Sequence, residues 1–174
     1  MAAGIHIVWP EGLSSASFAG RPLHVHLRAV AEAAGLSPTD MDGPSVVVDG
    51  GFAAVSEASL RRLAATLVEG DGGALLTADG EVVAVARRSA PPEPERWLTE
   101  PTGERLTLPA DEAIRVADAW AWACAEQVVM QRWLRELALS GVRLIDPRRI
   151  YVACSVQVSQ GPSCGQMSCS AARR

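Results

Sequence analysis

The chain has 174 residues, a net charge of -4 and a hydrophobic fraction of 48%, so it can bury the core of one globular domain. Its charges are scattered, and no basic stripe indicates a nucleic-acid partner. We find no apolar run as long as a membrane span and no secretory leader, so we expect a cytoplasmic protein without a membrane partner.

The basic and sulfur-containing side chains restrict the available chemistry. All 16 basic residues are arginines, and the sequence contains neither lysine nor asparagine, a bias that GC-rich coding explains most simply. No lysine can therefore hold a phosphate, and no asparagine can ligate a metal. The C-x4-C spacing of Cys164 and Cys169 is unusual for zinc, and no histidine lies near them, so their role stays open.

The first third of the chain alternates predicted strands and helices. Residues 5–9 are predicted to form a short buried strand, and residues 45–49, with three successive valines, indicate a central parallel strand. Between them, an Arg-Pro start and Gly35 at the end predict a helix over residues 21–34.

The middle of the chain carries the clearest local signals. Ser56 is predicted to cap a helix over residues 57–69, whose leucines recur at three- and four-residue spacing. Residues 74–77 and 81–87 are predicted to form a hairpin, because the Asp-Gly pair between them favours a tight turn. Residues 90–101 contain four prolines and are expected to be irregular.

A long helix dominates the last third. Asp111 is predicted to cap it, and it extends to about residue 139 and ends at Gly141. We expect its aromatic and leucine residues to serve as core or subunit contact rather than to stack on a ligand. They are Trp120, Trp122, Trp133, Leu134 and Leu137.

Two valine-rich runs follow that helix. Residues 142–145 are predicted to form a strand packed on the sheet. Residues 150–158 are predicted to leave the domain as a further strand. In this run Val152 and Val158 are six residues apart, which is the period of a hexapeptide β-helix.

Three stretches resemble the sugar-1-phosphate nucleotidyltransferase family, and most closely the uridylyltransferase half of the bifunctional bacterial enzyme that makes UDP-N-acetylglucosamine. Residues 19–23 (AGRPL) look like that family's helix start, and residues 46–57 (VVVDGGFAAVSE) look like its strand, G-D-x-P-L segment and next helix. Residues 141–147 (GVRLIDP) resemble the junction to a left-handed β-helix.

The resemblance implies an α/β fold, namely a shortened, Rossmann-like, three-layer nucleotidyltransferase-like domain. It would cover residues 1–146, and residues 147–174 would form the start of a left-handed β-helix and a loose tail.

The sequence departs from the family where its catalytic groups should lie. The family holds nucleotide phosphates on a Gly-rich loop after the first strand, but residues 7–15 (IVWPEGLSS) contain one glycine and no cation. The family's Mg²⁺ ligands, an Asp and an Asn, correspond here to Gly51 and Ala117. Asp49 and Asp118 lie close by and are the candidate ligands of a relocated Mg²⁺ site.

The remaining charged candidates near the matched segments are few. Arg21, Arg61 and Arg62 are the cations closest to them, and we expect them to be solvated surface charges. The histidines are confined to the N-terminal part, and the i, i+2 spacing of His24 and His26 does not favour a metal pair on a helix.

The leading hypothesis is a divergent or remnant sugar-1-phosphate nucleotidyltransferase that is weak or inactive. If active, it would use Mg²⁺ while a sugar-1-phosphate attacks the α-phosphorus of UTP, and a sugar nucleotide would be its ligand. The alternative is a non-catalytic assembly protein that forms a homo-oligomer or pairs with a full-length paralogue. A third interpretation treats residues 155–174 as a processed peptide tail.

Overall fold

The computed structural model describes residues 3–37, 43–89 and 93–152, and the backbone of residues 157–159 and 168–170. The helices are α1 (Leu23–Ala33), α2 (Glu57–Glu69), α3 (Pro94–Thr99) and α4 (Ala119–Leu139). The strands are β1 (Gly4–Val8), β2 (Ser17–Phe18), β3 (Arg21–Pro22), β4 (Ser45–Asp49), β5 (Gly72–Leu76), β6 (Val82–Arg87), β7 (Glu104–Thr107), β8 (Gln157–Ser159) and β9 (Ser168–Ser170).

A mixed five-stranded sheet with the order β1-β4-β6-β5-β7 forms the centre of the fold. The β4 strand pairs in parallel with β1 and antiparallel with β6, whereas β5 pairs antiparallel with β6 and in parallel with β7. The predicted β5–β6 hairpin is confirmed, and every residue of β4 is buried, as expected for a central strand. The α/β class is therefore confirmed, with a sheet that is mixed rather than purely parallel.

The sheet buries side chains on both of its faces. Val46 and Val48 of β4 belong to the cluster that contains the buried leucines of α1 and α2. Val47 instead belongs to a smaller cluster with Trp97 of α3. Because successive strand residues point to opposite faces, helices cover the sheet on both sides.

The capping residues in the sequence correctly predicted where α1 and α2 begin and end, to within two residues. The side chain of Ser56 accepts a hydrogen bond from the backbone N–H of Ser59 at 3.1 Å, which confirms the predicted cap of α2. The α1 helix begins directly after Pro22, and Gly35 follows its end with a φ of 84°. Within the described residues, no helix has the length and apolar character needed to cross a membrane.

The long helix begins later than predicted. It starts at Ala119, because the Oδ1 atom of Asp118 accepts a hydrogen bond from the Ala121 N–H at 2.8 Å. Asp111 caps no helix there. The stretch it opens is held instead by long-range contacts, since Glu112 accepts a hydrogen bond from the N–H of Ser56 at the start of α2 and Arg115 binds Asp49 at the end of β4.

The region around the predicted irregular stretch contains two elements that the sequence did not indicate. Within residues 90–101, the α3 helix packs on the sheet through its buried residue Trp97. The β7 strand then pairs with β5 although most of its residues are exposed, so it shows no hydrophobic alternation.

The predictions beyond α4 meet a mixed outcome. Gly141 ends the helix with a φ of 96°, as predicted, but residues 142–145 form no strand, and Ile145 is 78% exposed. The prediction of a strand there is wrong. Of the predicted run 150–158, residues 153–156 lie outside the described residues. The β8 strand pairs antiparallel with β9, whereas a β-helix stacks its strands in parallel.

We expect Gly72→Ala to destabilise the fold much more than Gly80→Ala. Both glycines have positive φ, but a Cβ at Gly72 would overlap the carbonyl oxygen of Ala86, whereas one at Gly80 meets none of the described atoms within 4 Å. Gly80→Ala should cost only the left-handed strain of about 1–2 kcal/mol, and Gly72→Ala about 3 kcal/mol or more. Urea denaturation measures both, and equal losses would contradict the clash.

Candidate functional site

The first candidate site lies at the carboxyl ends of β1 and β4, the edge at which open α/β sheets bind ligands. The two strands end side by side, with Val8 opposite Asp49. The Trp9 ring packs directly on Gly50. A Cβ added at Gly50 would lie only 2.5 Å from this ring. A glycine at position 50 therefore lets the indole approach the end of β4.

A cluster of three ionised side chains occupies this edge, and we call it the Arg115 cluster. Arg115 Nη2 donates to Asp49 Oδ2 at 2.7 Å, and Arg115 Nε donates to Glu81 Oε1 at 2.5 Å. The Arg115 guanidinium also lies 4.6 Å from the ring centroid of Phe52. Burial alone would lower the pKa of Arg115, but its hydrogen bonds to Asp49 and Glu81 outweigh burial and raise the pKa.

Both oxygens of Asp49 already accept a hydrogen bond, so an incoming cation would compete with existing partners. Its side chain is mostly buried, Oδ2 is held by Arg115, and Oδ1 accepts a hydrogen bond from the Gly51 N–H at 2.8 Å. A Cβ at Gly51 would lie 3.0 Å from both Arg115 Nη1 and Asp49 Oδ1. The position that the family resemblance assigns to a metal-binding Asp is thus tightly enclosed.

The second metal candidate, Asp118, serves the helix. It is exposed, and its Oδ1 caps α4. Across the described residues, no group of three or more His, Cys, Asp or Glu side chains could hold a metal ion. Asp49 is thus engaged in an ion pair and Asp118 in a helix cap.

A second candidate is a cavity of about 670 Å³ between α1, the start of α2 and α4, which we call the interhelical cavity. His26 lies in its wall and is only 3% exposed. Arg21 Nη2 lies 2.9 Å from His26 Nδ1. Since a guanidinium can only donate, Nδ1 must accept this hydrogen bond, and the ring proton is on Nε2.

Burial is the main reason that the pKa of His26 falls from 6.5 to about 4. The positive charge of Arg21 lowers this pKa further, the carbonyl of Ala53 raises it, and Arg132 lowers it again. His26 is therefore neutral at physiological pH. It adds no positive charge beside Arg21, and an imidazole in either protonation state leaves the charge of Arg21 unbalanced.

An ion-paired group closes another side of the cavity. Glu112 is buried, and its Oε2 accepts a hydrogen bond from the Ser56 N–H at 2.8 Å. Arg132 Nη2 lies 3.7 Å from Glu112 Oε1, and Arg132 Nη1 donates to the Ala54 carbonyl at 2.5 Å. These contacts tie α4 to the loop before α2.

Most of these side chains could not be identified as site residues from the sequence. Arg61 pairs with Glu57 on the surface of α2, as expected of a surface charge, but Arg21 is half-buried beside His26, so that expectation was wrong for Arg21. Arg115 and Arg132 carried no local signal, because the partners that define their roles, Asp49 and Ala54, are 66 and 78 residues away in the chain.

No protein-family model matches this chain, and no curated protein matches its sequence.

His26 should make the fold less stable in acid. Its folded pKa lies below its ordinary value of 6.5, so the unfolded chain binds the proton first. Stability present above pH 6.5 is then lost as the pH falls towards 4, by at most about 3 kcal/mol.

Chemical denaturation between pH 7 and pH 4 measures this loss. His26→Gln should show a shallower fall in the free energy of unfolding than the wild type, because its side chain does not titrate. His24→Gln makes the same substitution two residues away and is the matched control. If His26→Gln keeps the wild-type slope, the assignment of the acid sensitivity to His26 is wrong.

Proposed function

We propose that this chain is a divergent member of the sugar-1-phosphate nucleotidyltransferase group, of the UDP-N-acetylglucosamine pyrophosphorylase type, that no longer transfers nucleotides. It is on this proposal a cytoplasmic pseudoenzyme. The observation that carries the proposal is the Arg115 cluster, which places a fixed arginine between two carboxylates at the edge where the family resemblance puts the metal and phosphates.

The chemistry of nucleotidyl transfer explains why this cluster matters. Such transfer depends on cations that neutralise the triphosphate and on carboxylates that hold the divalent ion. Arg115 already uses Asp49 and Glu81, and its own charge is balanced by them. A metal at Asp49 would meet the positive charge of Arg115, which the chain keeps in place through the hydrogen bond from the Val116 N–H to the Gly51 carbonyl at 2.9 Å.

The loop after β1 supports the same proposal. Two of its N–H groups are used internally, since Leu13 donates to the carbonyl of Pro10 at 3.1 Å and Ala16 donates to that of Leu13 at 3.2 Å. The first N–H groups of α1 are also occupied, with Leu23 donating to Ala16 at 2.9 Å and His24 donating to Ser14 at 3.0 Å. Two N–H groups at the helix start that could have bound a phosphate are therefore occupied by carbonyls of the loop itself.

Two finer elements of the proposal concern architecture. Parallel pairing of β1 with β4, and helices on both faces of the sheet, support a Rossmann-like three-layer domain. The start of a left-handed β-helix after residue 147 draws support from the end of α4 at Gly141, but not from the antiparallel pairing of β8 with β9.

UTP and Mg²⁺ together should leave the melting temperature of the wild-type protein unchanged, and no pyrophosphate should be released when N-acetylglucosamine-1-phosphate is added. A ligand at a hundred times its Kd would add about 2.7 kcal/mol and raise Tm by several degrees. Differential scanning fluorimetry and a pyrophosphate assay measure the two outcomes. A Tm rise of that size, or release of pyrophosphate, would contradict the proposal.

Arg115→Gln supplies the positive control for this test. The substitution frees the carboxylates of Asp49 and Glu81, so Mg²⁺ should raise the Tm of the variant while leaving that of the wild type unchanged. Arg105→Gln, which removes an exposed arginine from β7, is the matched control and should behave as the wild type. Equal Mg²⁺ stabilisation of all three proteins would show that Arg115 does not block the site.

The second candidate function is that of an assembly protein, and the surface of α4 favours it. Within the described chain, Ala125 and Leu134 are the buried residues of this 21-residue helix, although most of its sequence is apolar. Trp120 and Leu139, near its two ends, are 79% and 80% exposed. The partner we propose is the α4 helix of a second molecule, which is either another copy of this protein or a full-length paralogue. Isologous pairing would bury the same surface on both partners.

Light scattering coupled to size exclusion tests this assembly. We expect a mass that is a multiple of 18.3 kDa, and the double substitution Trp120→Glu with Leu139→Glu should reduce it to the monomer. Val68→Glu, at an exposed valine of α2, is the control and should keep the wild-type mass. A wild-type mass of 18.3 kDa, alone and mixed with a full-length paralogue, would argue against assembly.

A further inference from the structure

The interhelical cavity plays no part in the proposed loss of nucleotidyl transfer, although Leu139, which the assembly test substitutes, also lines it. Its lining includes none of the Arg115 cluster, and none of the aspartates considered as metal ligands. It nevertheless combines an arginine, a buried histidine and an apolar wall, which is the composition of a small-molecule site.

We infer that the interhelical cavity binds a small organic anion, a carboxylate or phosphate monoester with an apolar body, and that Arg21 holds the charged group.

The hydrogen bonding of Arg21 carries this inference. Its one hydrogen bond among the described residues is to the neutral ring of His26, and its Nε is buried without a hydrogen-bond partner. In that same part of the chain no carboxylate forms an ion pair with it. A guanidinium keeps its charge and has five N–H donors, so an anion in the cavity would supply the counter-charge that the described carboxylates do not.

Arg132 provides the contrast within the same cavity. It binds the Ala54 carbonyl at 2.5 Å, Asp111 at 3.2 Å and Glu112 at 3.7 Å, so its charge is already balanced. Of the other acidic groups that line the cavity, Glu57 pairs with Arg61, and Glu136 is exposed at the rim. Arg135 also lines the cavity, but it is exposed. Arg21 is therefore the half-buried cation of the cavity wall that no described carboxylate balances.

His26 gives independent support. It is almost completely buried, and its Nε2 has no hydrogen-bond partner of good geometry, although the Ala53 carbonyl lies near enough to influence the ring. The charges of Arg21 and Arg132 both disfavour a proton on this histidine. The two charges that act on this ring are thus both positive, and they favour an anion beside His26, although the whole cavity lining holds three arginines and three glutamates.

The apolar residues that line the interhelical cavity favour a ligand whose uncharged part is apolar. Ala29, Val30 and Ala33 of α1 face Val129 and Trp133 of α4 across the cavity. The indole of Trp133 offers a flat surface on which a planar group can pack. Inorganic phosphate would use Arg21 alone, whereas an aromatic phosphate or carboxylate would use both Arg21 and this wall.

The full chain can be tested by NMR of its histidine side chains. Phenyl phosphate, benzoate and inorganic phosphate are the three probes, and the His26 signals are assigned by their loss in His26→Gln. We expect phenyl phosphate or benzoate to shift the His26 signals saturably, with inorganic phosphate about tenfold weaker. Comparing the two organic probes tells a carboxylate from a phosphate site. No saturable shift with any probe overturns the inference.

Matched variants test the residues. Arg21→Gln should weaken the organic probes about tenfold or more, whereas Arg28→Gln, on the exposed side of α1, should not change their affinity. Trp133→Leu should weaken phenyl phosphate but not inorganic phosphate. If Arg21→Gln does not fold, Arg21→Lys keeps the charge and should still weaken the probes, because it loses the fork of donors. Unchanged affinity in the Arg21 variant would overturn the inference, whatever the outcome with UTP.

Discussion

The ion pair between Asp49 and Arg115 is the contact on which the arrangement of the second half of the chain depends. Asp49 ends a strand whose five residues are all buried, so its carboxylate needs a counter-charge and hydrogen bonds where water is scarce. Arg115 and the Gly51 N–H supply them. The segment that carries Arg115 is thereby drawn to the end of β4, far from the strand that precedes it in the chain.

This contact has consequences for both candidate sites. Once Arg115 is held, Val116 binds the Gly51 carbonyl and Glu112 binds the Ser56 N–H, so the segment cannot continue as a helix from Asp111. The start of α4 is set later, at Ala119. Arg132 of α4 then reaches the Ala54 carbonyl and closes one wall of the interhelical cavity. The Arg115 cluster and the cavity are thus joined by one short segment.

The parts of the fold that were predictable from the sequence are those fixed by neighbouring residues. The Ser56 cap, the Asp-Gly turn and the run of valines each act within a few residues, and the structure contains α2, the hairpin and β4 where they indicated. Residues 142–145 carry a similar apolar pattern, but no strand partners them, and Ile145 stays exposed. An apolar run predicts burial only where something in the fold can cover it.

The sites were less predictable for a related reason. Asp49 was identifiable because its position after β4 is a local property, but its role depends on Arg115, 66 residues away in the chain. The half-buried position of Arg21 depends on His26, whose burial comes from packing against Phe18, with ring centroids 5.0 Å apart. Composition could not tell a surface arginine from one that lines a cavity, because all 16 basic residues are of the same type.

Two arginines in this chain therefore have opposite electrostatic situations. Arg115 has two carboxylates and an aromatic face, so it contributes to stability and is not available to a phosphate. Arg21 has a neutral imidazole and a buried, unsatisfied N–H, so its charge remains available. A guanidinium forms directional bonds through a rigid fork, which suits either a permanent ion pair or the recognition of an anionic group. The partners that the fold gives each arginine, rather than the residue type, decide which of these two roles it has.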